Sequence, residues 1–453
     1  MTVEATDCVV IGGGLAGITF ARRLQQLGRE AVVLEKGSDD YGHNNARISG
    51  GLVHLAWRAM DEDPQELEQH LLTETDGGID PAVARALAAN ARRAIEWLAD
   101  EGVEMQAKGD KPYQRHALYP HRPGTGARIR PEFGPDRMMR ALWDGFRAGG
   151  GRVLLGAAGE ALAQGDERRW RVAYRVGGVQ RSLEADNVVI ADGGFQANAE
   201  LLAAYVGPNA PLSVLRAWPS AVGDGLRMLL PLRAATAGLG RVYGHMVSHD
   251  ALTNDTLWPY PAMDKLCLSG LLVDRAGARF AEPAGTGVEL VTRLARTEDP
   301  RGYAVVFDDA LWQTAGRDNP YNTAVPNPDL VERGGHLVSA GDLGELAAQL
   351  GVDAARLAAA VAEHNAKPGA TRIEQAPYYA ARVTPGITFT MGGVRVDEHA
   401  AVVDLDGQPL PGVYAAGSAV GGVHGGPHGG YVGGLAVALE LGLLAAEHVA
   451  AAA

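Results

Sequence analysis

At 453 residues the chain is too long for one simple core, so two domains are the default expectation. Hydrophobic residues at 46% and charged residues at 21% are ordinary globular proportions and exclude extensive disorder. A formal net charge of −13, with no block of Lys and Arg to offset it, argues against a nucleic-acid groove or an anionic membrane surface.

The 60 glycines fall in local clusters rather than at a fixed period, which suits a backbone that must approach a large ligand at several places. Two cysteines, Cys8 and Cys267, cannot make a disulfide framework, and no His spacing suggests a metal site. The acidic start, Met1 to Asp7, runs straight into a strand and reads as no secretory leader. No apolar run is taken to reach the about 20 residues a bilayer span needs, so the expected location is cytoplasmic.

In chain order, Cys8-Val9-Val10-Ile11 predicts a strand buried on both faces of a parallel sheet. It runs into Gly12-Gly13-Gly14-Leu15-Ala16-Gly17, a G-x-G-x-x-G match at Gly12, Gly14 and Gly17, followed by a helical pattern ending at Gly28. Ala31-Val32-Val33-Leu34 makes a second strand that finishes in Glu35. Gly12 permits the tight turn, Gly14 lets a pyrophosphate touch backbone, and Gly17 allows close helix–strand packing. The helix N-terminus offers N–H groups to the phosphates, and Glu35 accepts from the adenosine ribose. Leu15, Ala16 and Lys36 belong to the same cradle. This fingerprint alone does not separate FAD from NAD. No second strand–GxGxxG–helix unit follows, because the Gly149-Gly150-Gly151 run precedes the strand at Arg152 to Leu155 rather than following one.

Further along stand Ser49-Gly50-Gly51, then Val188-Val189-Ile190-Ala191-Asp192-Gly193-Gly194-Phe195 and Val222-Gly223-Asp224-Gly225. Leu271 to Asp274 reads as a strand before a turn, and Leu343 to Asn365 as an amphipathic helix broken near Gly351. Near the end, Val413-Tyr414-Ala415-Ala416-Gly417-Ser418 reads as a buried strand and a glycine-rich break. Gly433-Gly434-Leu435 then opens an alanine-rich helix whose N-terminus suits the negative end of a reduced isoalloxazine ring.

This order of motifs resembles the fumarate reductase/succinate dehydrogenase flavoprotein superfamily, including the 3-ketosteroid dehydrogenases. Gly277-Ala278-Arg279-Phe280 and Thr390-Met391-Gly392-Gly393 also match, so the resemblance spans nearly the whole chain. It implies an α/β fold: a Rossmann-type FAD-binding domain from residues 1–242 and 389–453, with an α+β capping domain inserted at 243–388. The cofactor is then FAD. The N-terminal fingerprint would hold its ADP half, and Ser49, Gly50, Gly51, Ala191, Asp192, Gly193, Gly417, Ser418, Gly434 and Leu435 would lie along it. Family members with a flavin–histidine bond carry His several residues before the Gly-Gly pair, a slot that holds Asn44 here, so the FAD is expected to be non-covalent.

Three departures argue against a small dicarboxylate substrate. The stretch Arg279-Phe280-Ala281-Glu282-Pro283-Ala284-Gly285 supplies no Arg at the proton-donor place, Phe389 replaces a His, and Tyr431 stands where an Arg is usual. The loop Gly429-Gly430-Tyr431-Val432-Gly433-Gly434 resembles that of the 3-ketosteroid dehydrogenases, where amide and Tyr donors grip a carbonyl. The implied activity adds or removes a C–C double bond beside a carbonyl, with hydride exchanged at flavin N5 and an external electron acceptor or donor. Tyr431 and the Gly430 N–H are the candidate donors to the enolate oxygen. His245, His424 and His428 compete for acid–base work. Phe389 and Tyr243 complete the expected substrate wall. Arg122, in His121-Arg122-Pro123, is a candidate carboxylate holder. The alternative is a reductase of an unsaturated carboxylate, with Arg122 and His245 gripping the anion.

Overall fold

The first strand, Glu4–Ile11, lies between two parallel neighbours, which is why its last four residues are uniformly apolar and buried. Ala31–Glu35 pairs with it on one side and Val179–Ile190 on the other. The sheet continues to Arg152–Leu155 beyond the former, and to Pro409–Ala415 and Ala401–Val403 beyond the latter. A hairpin, Ala157–Gln164 with Trp170–Val176, pairs onto Val179–Ile190. The chain's end therefore returns beside its beginning. Ile11, Leu34, Ile190 and Ala415 fall in one register across the sheet, so the carboxyl ends of the parallel strands share one edge. Ligands of open α/β sheets bind at that edge.

This computed structural model describes residues 4–123, 127–166, 168–280, 284–318, 324–426 and 428–452. Residues 281–283, part of the stretch 279–285 where an arginine proton donor is expected in fumarate reductases, lie outside that description. Helix Leu15–Gln26 follows the glycine turn and packs against the last helix, Gly434–Ala451. That last helix, 18 residues with mean hydropathy 1.5, is long and apolar enough to cross a membrane, contrary to the expectation from sequence. Yet 61% of it is buried inside the fold, which accounts for its composition as core.

The second sheet is antiparallel along its main path: Val242–Ser248, Tyr378–Thr390, Tyr303–Asp308 and Leu271–Val273. Val338–Ala340 and the short parallel strand Val214–Leu215 also pair with Tyr378–Thr390. This sheet thus draws one strand from well before residue 243, and its longest strand runs past 388. The interrupted helix is two helices, Leu343–Leu350 and Ala354–Asn365, parted by Gly351 in a left-handed conformation and restarted by the Asp353 cap on Arg356 N at 2.8 Å. At the far end of Tyr378–Thr390, Thr390 Oγ1 accepts from Phe195 N at 3.1 Å, tying the second sheet to the loop after Val179–Ile190.

Candidate active site

One cavity of about 360 Å³ starts at the carboxyl edge of the first sheet and ends under the second. Every residue assigned above to the cofactor lines it except Gly17. Gly17 packs instead: a Cβ there would lie 2.0 Å from Gly12 O. Gly12 has φ +104°, and a Cβ on it would meet Ala191 O at 2.4 Å, so only glycine lets the two strand ends close over the turn. Glu35 is buried and accepts from Gly13 N at 2.8 Å and Gly37 N at 2.7 Å, shaping the turn from beneath, while burial raises its pKa. Lys36 pairs with Asp224. Asn44 accepts from Arg47 N at 3.2 Å and donates to Tyr41 O at 3.3 Å. Beside it the His43 ring stacks on Trp218 at 4.7 Å.

The wall of this channel carries buried polar atoms with no protein partner. Both amide atoms of Gln196 and Oδ1 of Asp192 are such atoms, and burial pushes the Asp192 carboxyl up to about 7. Orphaned groups of this kind, beside a glycine turn and a helix N-terminus, fit a long polar ligand such as FAD.

At the other end, Gly434 N, the first N–H of the last helix, donates to Tyr431 Oη at 2.8 Å. No side chain caps this helix at its N-cap residue, Gly433, so the Tyr431 hydroxyl meets one of its orphan donors. The Tyr431 ring stacks on Tyr243 at 4.1 Å, and Phe389 lies 5.1 Å from Tyr243. Trp57 and His54 flank Tyr431 at 5.5 and 5.7 Å. Glu74 Oε1 accepts from Tyr431 N and from Trp57 Nε1, each at 3.2 Å, which pins both rings.

His245 Nδ1 lies 2.5 Å from Asp264 Oδ2, and Asp264 Oδ1 accepts from Met246 N at 2.7 Å. The carboxylate is thus anchored to backbone and holds the imidazole, whose Nε2 is 3.4 Å from Tyr243 Oη. Arg122 and Arg216 line the same cavity. Arg122 donates Nη2 to the carbonyls of Ala127 and Arg128, its Nη1 is buried without a partner, and burial pushes its pKa down to about 10.

Three expectations are corrected. His428 points outward: its side chain is 69% exposed, 4.0 Å from Glu289, and it does not line the cavity. Gly430 N is not available to a substrate, because it donates to Gly425 O at 2.6 Å while Gly425 N donates back to Gly430 O at 2.8 Å. A Cβ on Gly430 would sit 1.9 Å from Glu74 O, so the glycines of this loop make room for backbone rather than for a ligand. His424 stands behind the wall, stacked 5.7 Å from Tyr431, with Nδ1 accepting from Val432 N at 3.2 Å. Burial pushes it down to about 4, so it is neutral and packs. His245 and Tyr431 remain with Arg122 on the cavity, joined by Arg216 and His54, while Asp264 holds His245 and Glu74 holds Tyr431 from behind the wall; the motifs did not flag these four. A lone Arg inside the apolar run Val214-Leu215-Arg216-Ala217-Trp218 was the one available signal for Arg216. Asp264 lies 19 residues from His245 in a stretch without pattern, and only folding brings them together.

The model of the FAD binding domain family matches residues 7–432. Among curated proteins, the NADH:fumarate oxidoreductase of Klebsiella pneumoniae is 28% identical over 92% of this chain, which spans only 45% of that longer protein. The 4-oxocyclohexanecarboxylate 2-dehydrogenase of Sinomonas cyclohexanicum is 26% identical over 98% of this chain and 92% of its own length. Among solved structures, the 3-ketosteroid Δ1-dehydrogenase of Sterolibacterium denitrificans superposes with a TM-score of 0.77 over 99% of this chain and all of its own, at 19% identity, a likeness of fold. The chain belongs to the FAD binding domain family and is an FAD-dependent oxidoreductase.

Proposed function

We propose that the protein adds or removes a carbon–carbon double bond beside a carbonyl, with Tyr431 polarising the carbonyl and His245 handling the α proton. The observation that carries this reading is the Tyr431 hydroxyl seated on Gly434 N–H at the start of the last helix, in a cavity shared by the cofactor cradle and by His245, whose ring Asp264 holds. Bound FAD supplies the hydride acceptor or donor. The Tyr431 oxygen accepts from Gly434 N–H, so its own hydrogen is free to point at a substrate oxygen, and the helix N-terminus behind it strengthens that donor as enolate charge grows. Burial raises the phenol's pKa and keeps it protonated. His245 takes the α proton at Nε2 in desaturation, or returns it in reduction, while Asp264 holds the ring and supports the imidazolium.

Residues 1–242 and 389–453 would hold the FAD and 243–388 would cap it, with an external electron partner and a cytoplasmic location completing the reading. The name of the Sinomonas relative, a dehydrogenase of a cyclic oxo acid, supports it. Reduction of an unsaturated carboxylate, with Arg122 and His245 holding the anion, is the second reading, favoured by the unpartnered Arg122 Nη1. An anaerobic screen with a dye acceptor separates the two. Bleaching of the flavin by saturated cyclic ketones supports desaturation. Oxidation of pre-reduced protein by unsaturated acids alone overturns it for the second reading.

A further inference from the structure

Besides Arg122, the arginines Arg47 and Arg216 in or near this site are treated differently by the fold. Arg47 is buried between Asp136 and Asp39, each 2.5 Å away. Arg216 has no carboxylate within ion-pair distance among the described residues. Its Nη1 donates to Thr388 Oγ1 at 3.1 Å and its Nη2 to Pro259 O at 3.2 Å, and its Nε is buried with no partner. A guanidinium has five N–H groups, so two satisfied donors leave three.

Leaving a buried cation unpaired is costly, and buried charges are ordinarily paired. The position of this one is held firmly, since Arg216 N donates to Ile387 O at 2.8 Å next to the pairing of Val214–Leu215 with Gly386–Ile387. The guanidinium therefore lies on the second-sheet side of the cavity, by Thr388 and Pro259. The charged and phenolic groups that act on it are Asp264, Tyr243 and Tyr260, and Asp264 is already committed to His245 and Met246 N. What is missing is an anion, and a carboxylate fits the side-on fork that a guanidinium presents.

We propose that Arg216 is the subsite for a carboxylate borne by the substrate, so that the reacting molecule is a keto acid with its carbonyl on Tyr431 and its carboxylate on Arg216. This rests on the reading of Tyr431 as the carbonyl donor. The carboxylate is unchanged by the reaction, in which the carbon skeleton loses one hydride to the flavin and one proton to His245.

The test is binding to the FAD-loaded protein, read from the flavin absorption spectrum during titration with 4-oxocyclohexanecarboxylate and, separately, its neutral carboxamide. Wild type is expected to prefer the acid by about 10²-fold, the loss typical when a buried charge partner is removed. Arg216→Gln should bring that ratio close to one, and Arg216→Lys, which keeps charge but not the fork, should fall between. A wild-type ratio near one overturns the proposal without any variant. So does an unchanged ratio in Arg216→Gln, or a shift in flavin reduction potential with the ratio intact, which would make Arg216 a counter-ion of the flavin. FAD stoichiometry reports folding of each variant, and Arg216→Lys against wild type decides the matter where Arg216→Gln loses FAD. The ratio is read on anaerobically pre-reduced protein, where these saturated compounds bind without reacting, so failure of both to bleach the oxidised flavin removes the desaturation reading and leaves the acid preference still legible.

Discussion

Replacing Tyr431 by Phe removes one hydroxyl and little else. The ring keeps its stack on Tyr243 at 4.1 Å, and its backbone N–H keeps Glu74. The loss to folding is the single bond from Gly434 N, about 1 kcal/mol net, at a helix end that opens on the cavity. The loss to chemistry is that of one preorganised donor aimed at a developing oxyanion, about 10²–10³-fold or roughly 3–4 kcal/mol. The two effects differ enough to be separated. Stopped-flow reduction of the flavin by a saturating ketone, under anaerobic conditions, should slow by that factor while FAD content and thermal unfolding stay close to wild type. The Michaelis constant should move less than the rate, because the bond strengthens as charge reaches the oxygen. A variant reducing its flavin within about threefold of wild type, against the 10²-fold or more expected of a lost donor, would make Tyr431 a packing residue and leave the carbonyl without a protein donor.

Asp264→Asn should lower kcat by about 10²-fold with FAD retained, since the amide cannot support the His245 imidazolium as a carboxylate does. The double variant with His245→Gln should be no slower than His245→Gln alone, and additive losses would show that the two do not act as a unit. Acid precipitation should release yellow flavin into the supernatant, because the Asn44 amide nitrogen, its lone pair delocalised into the carbonyl, cannot form a flavin bond as an imidazole does; colour left in the pellet would contradict this. His424, pushed by burial from 6.5 to about 4, resists protonation in the folded state while the unfolded chain accepts the proton freely. Its contribution is therefore complete above about pH 6.5 and declines as pH falls towards 4. Measured against His424→Phe, wild type should lose about 2 kcal/mol of relative stability between pH 6.5 and 5; a difference that does not change with pH would refute the assignment.

The cofactor end was legible in the sequence because its chemistry is local. A buried strand, a turn that admits only glycine, a helix start and an acid on the next strand occur within forty residues, and each is dictated by backbone sterics. The Val413–Ala415 strand was readable for the same reason, although its place beside Val188–Ile190 is set by tertiary pairing. The substrate end was legible only where a side chain stood beside such a motif, as Tyr431 does. The run around His424 and His428 misled, because glycine clusters signal close approach without saying to what. Here they approach the backbone of Glu74 and one another. Asp264 and Arg216 were silent because neither spacing nor periodicity links them to the residues they serve.

Strand Tyr378–Thr390 belongs to the second sheet for most of its length, yet Thr388 and Phe389 form cavity wall and Thr390 holds Phe195 of the other sheet's loop. Just beyond it, Cβ atoms on Gly392 and Gly393 would strike the backbones of Leu239 and Ala419 at 2.3 and 2.0 Å, so the chain is clamped where it leaves. A door hung on this strand has its hinge pin inside the room. Any swing of the outer sheet must move Thr388 and Phe389 before it widens the entrance, so letting a product out and disassembling the surface that gripped it are one motion, timed by the same barrier.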